Sequence, residues 1–283
     1  MMEEPSTQQT PAVLTYWFVT ALEPGKVLRS EPRADRGFGR KYLAQLNPAW
    51  PITPIGSFPL NRSSEVSAGE FYIAGYPGVT VVQTWVEDVG LLSELDEKML
   101  SSRPAPDVYV IAIGDGNDFG GFVHYSGGVV KRALSGDRNQ LQEDIGLPEP
   151  FELPYWAGET TEKLGGPALP FWPQDIARAA ERHWVGVDVS PDGPDIQVVG
   201  YAVDGRPEPK LDEHKPAPPE ESGVEILTYD DYEIAPARGD GDEFVRLAEA
   251  AGAALRRVGR GVKRRGVKLG RALNERLRHT DRP

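Results

Sequence analysis

The tightest constraint on this chain is the way its β-prone runs are joined. Gly121 to Leu134 divides into two strands at Gly127-Gly128, where both turn residues accept positive φ. Glu70 to Ala74 and Val79 to Trp85 flank Gly75-Tyr76-Pro77-Gly78, a turn with one fixed-φ residue and one permissive one, so a second hairpin is predicted. Val13 to Val19 and Asp107 to Ile113 add two more strands rich in β-branched and aromatic residues, and Asp195 to Val203 supplies the last strand of the body. Consecutive short strands with few crossover helices favour an α+β fold. The sheet is expected to be mixed but mostly antiparallel, with a few packing helices, instead of a doubly wound parallel one.

Helices are predicted at three places in this body. Arg40 to Leu46 is ended by Pro48 and Pro51, because proline lacks the donor and clashes with the preceding turn. Leu91, Leu92, Leu95, Met99 and Leu100 recur at helical spacing before Pro104 and Pro106. Pro173 opens a third helix, Gln174 to Trp184, as proline at the first helical position does. Between Gly136 and Trp172 the chain turns proline- and aromatic-rich.

Charge divides the chain further. Of its 31 basic and 43 acidic residues, 11 basic and 2 acidic lie between Arg256 and Pro283, so that stretch carries +9. Residues 1–255 keep 20 basic and 41 acidic residues and carry −21. The expected organisation is a disordered N-terminus (1–11), an α+β body (12–204), a proline-rich acidic linker (205–223), an acidic segment (224–241) and a basic amphipathic helical tail (242–283). The linker assignment rests on five prolines among charged residues, a composition that cannot bury enough apolar surface to offset chain entropy.

From Phe244 to Leu277 one apolar stripe runs at nine steps over 33 residues, about 3.7 per step, the period of a straight helix. Helical from Asp242 to Arg278, it would be about 55 Å long. Arg256, Arg257, Arg260, Lys263, Arg264, Arg265, Lys268 and Arg271 cover much of the remaining surface, the pattern of an interfacial helix on an anionic membrane. The glycines at 259, 261, 266 and 270 weaken the free helix, so it is expected to form on binding. An acidic protein partner or the acidic body itself would be attracted by the same charge. Nucleic acid fits less well, since no aromatic follows Phe244 to stack bases and the −21 carried by residues 1–255 repels a duplex.

Composition excludes several chemistries. Without cysteine there is no disulfide, thiolate metal site or cysteine nucleophile, and the four histidines are scattered, so no metal and no cofactor are expected. Met1 to Pro11 lacks the positive region of a secretory signal, and no run approaches the about 20 apolar residues of a membrane span. A cytoplasmic protein, peripheral on the inner membrane face, is the expectation.

Within the body, Glu143 to Glu159 is the candidate ligand site. Glu143, Asp144, Glu152 and Glu159 gather around Tyr155 and Trp156, and carboxylates beside aromatic platforms serve sugar binding and glycoside chemistry. The same residue types also suit a loop that packs aromatics and caps backbone N–H groups. Gly114-Asp115-Gly116-Asn117-Asp118-Phe119-Gly120-Gly121 follows a strand but leads into another, so it reads as a connecting loop and not a phosphate cradle.

Several of these pieces also carry a resemblance. Tyr72 to Val79, Glu143-Asp144-Ile145-Gly146, Pro150 to Glu159 (PFELPYWAGE) and Leu169-Pro170-Phe171 resemble a family of actinobacterial proteins known as a domain of unknown function. The resemblance covers Val13 to Trp184, roughly 60% of the chain. It implies a fold unit without an activity. Members of that family often place a histidine after Leu-Pro-Phe, where this chain has Trp172. The function expected from all of this is a non-enzymatic adaptor or scaffold attached through its basic tail. The alternatives are a small-molecule or glycan-binding protein using segment 143–159, and a nucleic-acid binder using the tail.

Overall fold

Among the described residues nine strands form one sheet, in the spatial order Thr53–Pro59, Gln197–Ala202, Glu70–Tyr76, Val79–Val86, Ala12–Val19, Asp107–Gly114, Gly120–Ser126, Val129–Gly136 and Leu141–Ile145, and all eight neighbouring pairs are antiparallel. The computed structural model describes residues 10–160 and 168–209. These belong to one compact unit, Met1–Glu213. The linker beyond residue 209, the acidic segment 224–241 and the basic tail 242–283 lie outside the described residues.

The strands are β1 (Ala12–Val19), β2 (Thr53–Pro59), β3 (Glu70–Tyr76), β4 (Val79–Val86), β5 (Asp107–Gly114), β6 (Gly120–Ser126), β7 (Val129–Gly136), β8 (Leu141–Ile145) and β9 (Gln197–Ala202). The helices are α1 (Pro24–Arg29), α2 (Arg36–Leu46), α3 (Glu97–Leu100), α4 (Leu153–Trp156) and α5 (Pro173–Val185). β1 lies between β4 and β5, and all eight of its residues are buried. Both sheet faces are covered, which is why β1 reads as a continuous apolar run instead of an alternating one.

Period-two alternation sorts the core into two layers. Val13, Trp17, Tyr72, Val81, Ile111, Phe122 and Leu134 meet Ile176, Ala177, Ala180 and Trp184 of α5 on one face. Leu14, Tyr16, Phe71, Ile73, Val82, Val110 and Val123 meet Tyr42, Leu43 and Leu46 of α2 on the other. Gly120 sets how closely α5 starts against the sheet, because a Cβ there would lie 2.3 Å from the backbone of Pro173 and Gln174.

Both predicted hairpins are present. Gly127 and Gly128 have φ of 58° and 80° and join β6 to β7, as the paired glycines require. β3 runs two residues beyond its predicted end, leaving Pro77-Gly78 as the turn, with Gly78 at φ 74°. α5 opens at Pro173 and closes at Gly186, which adopts φ 73°.

Three local expectations are corrected. The helix expected from Leu91 to Leu100 is a 3-10 turn, Leu92–Glu94, followed by α3. Leu95 between them is extended, and the Asp96 carboxylate restarts the helix by accepting from the Lys98 N–H at 2.9 Å. α2 starts at Arg36, four residues before its predicted start, because Asp35 accepts from the Gly37 N–H at 2.8 Å. Glu143 and Asp144 sit on strand β8 instead of in a proline-rich loop. β2, which carries Pro54 and Pro59, is an edge strand, where a missing donor is tolerated.

Candidate functional site

Glu143 and Asp144 are adjacent on β8, so their side chains leave the sheet on opposite faces. Glu143 is buried and accepts from the Leu92 N–H at 2.6 Å, the Ser93 N–H at 3.1 Å and the Ser135 hydroxyl at 3.2 Å. It caps the 3-10 turn that begins the 92–100 segment. Asp144 reaches the other face and accepts from Arg132 Nη1 at 2.6 Å.

Arg132, on β7, organises that second face. It is 1% exposed, and its Nε and Nη2 form a two-pronged pair with Glu152 at 2.8 and 2.7 Å. Glu152 is itself 0% exposed, and it also accepts from the Glu149 N–H at 2.9 Å and from Trp156 Nε1 at 3.2 Å. Burial lowers the Arg132 pKa, but the hydrogen bonds and charges of Glu152 and Asp144 outweigh it and hold the guanidinium above its ordinary value. A buried charge this well partnered is stable only as a complete set.

The aromatic members of the segment face inward as well. Trp156 and Tyr155 meet Phe171 edge-on, with ring centroids at 5.0 and 6.4 Å. Arg138 donates to the carbonyls of Leu169 and Phe171 and lies 4.8 Å over the Trp172 ring. Glu159 is exposed, and its backbone N–H donates to the Pro154 carbonyl at 2.9 Å. The structure therefore brings Asp144, Glu152, Tyr155 and Trp156 into one assembly around Arg132 and Phe171. Glu143 stands on the far face and Glu159 in solvent.

Two histidines that the sequence left unconnected converge on Trp184. The His124 ring lies 5.7 Å from it and its Nε2 donates to the Asp107 carboxylate at 2.9 Å, while His183 packs on Phe151 at 5.0 Å and approaches Glu149 at 3.6 Å. Trp184 Nε1 donates to the same Glu149 at 3.1 Å. The glycine-rich stretch 114–121 joins β5 to β6, as its lack of a following helix implies.

A separate polar cavity of about 180 Å³ lies between β1, β4, β5 and α5, and its lining includes Thr15, Gln83, Arg178 and Glu181. Glu181 is 7% exposed and accepts from Trp17 Nε1 at 2.8 Å. Burial pushes its carboxyl up to about 7, against smaller opposing effects of the Trp17 hydrogen bond and the Arg178 charge. Sequence inspection passed over this group, although a signal existed. Ile176, Ala177, Ala180 and Trp184 mark the inner stripe of α5, and Glu181 falls within it.

Among the described residues no cluster of three His, Asp or Glu could hold a metal ion, and no helix is long and apolar enough to cross a membrane. Arg256, Arg257, Arg260, Lys263, Arg264, Arg265, Lys268 and Arg271 lie outside the described residues. A family model described as a family of unknown function (DUF6928) matches residues 13–201. No curated protein and no solved structure matches the chain.

Proposed function

The chain belongs to this family of unknown function, which brings no activity with it, and we propose that it works as a non-enzymatic adaptor whose basic C-terminal segment attaches the body to an anionic membrane surface. The division of charge carries this proposal: +9 on residues 256–283 against −21 on residues 1–255. Each basic residue near an anionic surface contributes about 1 kcal/mol, so the eight cations from Arg256 to Arg271 supply a larger attraction than the Val and Leu side chains between them. The acidic body is repelled by the same surface. Attachment is thereby confined to the tail, and the body remains free for a partner.

The test compares the full chain with one ending at Ala254 in co-sedimentation with vesicles containing about a third phosphatidylglycerol at low salt. The full chain is expected to pellet with the vesicles and to be released as salt rises, while the shortened chain stays in solution. Retention of the shortened chain would refute the proposal. Binding of duplex or single-stranded probes in place of vesicles would assign the tail to nucleic acid, and capture by an acidic protein alone would assign it to a partner of that kind.

Use of segment 143–159 as a sugar or small-molecule site is less well supported. Asp144 and Glu152 are engaged by Arg132, Glu143 by backbone N–H groups, and Trp156 by Glu152 and Phe171. A ligand there would have to displace charge-assisted hydrogen bonds that the fold itself uses.

A further inference from the structure

The face of the sheet opposite Arg132 carries a cavity of about 440 Å³ between the end of α2 and the 86–99 segment. That is the size class of small-molecule sites. Its floor is apolar and aromatic, with Leu14, Phe71 and Val86 from the sheet and Trp50 tilted against Phe71 at 5.4 Å between centroids. Asn47, Thr84 and Tyr16 interrupt this lining; Asn47 Oδ1 accepts from the Ala49 N–H at 3.1 Å and the Thr84 hydroxyl donates to the Glu70 carbonyl at 3.1 Å. Tyr16 is 3% exposed, and among the described residues its hydroxyl has no hydrogen-bond partner. The hydroxyl is not sealed off either. Among the described residues, the one fully enclosed side-chain polar atom without a hydrogen bond is Asp195 Oδ1. The Tyr16 hydroxyl therefore opens into the cavity that the residue lines.

The rim is acidic. Asp88, Glu94 and Asp96 face a single Lys98 around the mouth. Asp88 and Asp96 each use one oxygen on a backbone N–H, from Thr10 at 3.3 Å and from Lys98 at 2.9 Å. Neither Glu94 nor Lys98 forms an ion pair among the described residues. The mouth thus carries two net negative charges above an apolar slot.

We propose that this cavity binds a small arylalkylamine. Its flat ring would lie on the apolar floor, its hydrogen-bond acceptor at the Tyr16 hydroxyl and its ammonium group among Asp88, Glu94 and Asp96. Each part of the ligand answers one part of the cavity. A neutral ring alone would leave the Tyr16 donor unpaired in a dry floor, which is the costly arrangement for a buried polar group. An anionic ligand would meet three carboxylates at the mouth, and like charges brought together there oppose entry. Burial keeps the Tyr16 phenol protonated, its pKa raised well above the ordinary tyrosine value, so it remains a donor at any pH at which an amine is charged.

The matched pair of probes is tyramine and 3-(4-hydroxyphenyl)propionate, which share a phenol ring and a two-carbon chain and differ in the sign of the terminal charge. Binding to the full-length protein is read by isothermal titration calorimetry at pH 7. Tyramine is expected to bind saturably and at least about tenfold more tightly than the propionate. Tyr16→Phe removes the hydroxyl without opening the floor and should weaken tyramine about three- to tenfold, the effect of one buried hydrogen bond. Glu94→Gln should narrow the preference for the amine over 4-ethylphenol, a neutral probe of the same ring. Thermal denaturation of both variants checks that each is folded. Equal binding of the two charged probes, no saturable tyramine binding, or unchanged tyramine affinity in folded Tyr16→Phe would each overturn the proposal. Binding of a polylysine peptide with no hold on tyramine would do so as well, by marking the cavity as a peptide dock.

Discussion

Replacing Glu181 with glutamine should alter how the stability of the body depends on pH. The carboxyl is 7% exposed on the inner stripe of α5, and burial raises its midpoint from 4.5 to about 7. Between those two values the folded chain holds a proton that the unfolded chain has released. Stability from this group is therefore fully present below pH 4.5 and is lost as pH rises through 7. At 1.36 kcal/mol per pH unit the whole interval amounts to about 3 kcal/mol, most of it falling between pH 5 and pH 8. Glu181→Gln keeps the shape and the oxygen that accepts from Trp17 Nε1, and it cannot ionise. The two proteins should be nearly equal in stability at pH 5, with the variant ahead by about 2–3 kcal/mol at pH 8, an advantage of about 5–10 °C for a body of this size. Urea unfolding of both proteins at five pH values between 5 and 8 isolates the effect, because every other carboxylate titrates alike in the pair. A stability difference that stays constant across that range would refute the assignment of a buried, protonatable Glu181.

Two further predictions concern the packing of the body. Arg132→Met or Glu152→Gln leaves one member of a buried pair without its partner, and either should destabilise the fold by about 3–5 kcal/mol in urea unfolding, whereas Asp144→Asn, at the half-exposed end of the same network, should cost about 1 kcal/mol. Gly120→Ala would place a methyl group 2.3 Å from the backbone at the start of α5, so it should cost about 1–3 kcal/mol and lower the melting temperature, while the same change at Gly116, which has open space but φ 68°, should cost about 1 kcal/mol.

The sheet was legible because its signals are local. Hairpin glycines at 127 and 128, Pro77-Gly78 and the apolar run of β1 each act over a few residues, and the antiparallel pairing of β3 with β4 and of β6 with β7 follows from the turns. What stayed hidden was set by tertiary contacts. β8 is five residues long and carries two acids, so neither length nor composition marks it, and it exists because β7 offers an edge and Arg132 and the 92–93 backbone N–H groups donate to its carboxylates. β2 contains two prolines and is held by pairing with β9, more than 130 residues later. The break at Leu95 depends on Asp96 acting as a cap within an otherwise helical spacing of leucines, a competition that spacing alone does not resolve. The candidate residues 143–159 were grouped by proximity in sequence, and period-two alternation then divided the first two of them between the faces.

That division bears on where an activity of the body should be sought. Three of the four segments that carry the family resemblance, 143–146, 150–159 and 169–171, are joined through Arg132, Phe171 and Arg138, with Asp144 on the α5 face and Glu143 on the other. Asp144, Glu152, Trp156 and Arg138 each have a protein partner there, and Phe151, Tyr155, Trp156 and Phe171 each have another ring against them, so these residues explain how an irregular stretch is fastened to a sheet edge. Among the described residues, the opposite face has the complementary character: a floor hydroxyl without a partner, rim carboxylates outside any ion pair, and a tryptophan over an apolar slot. Satisfied polar groups add stability and specificity to a fold, while unsatisfied ones at the floor of a cavity add nothing until something binds. The ligand chemistry proposed at Tyr16 and Trp50 therefore lies across the sheet from Arg132 and the network that it organises.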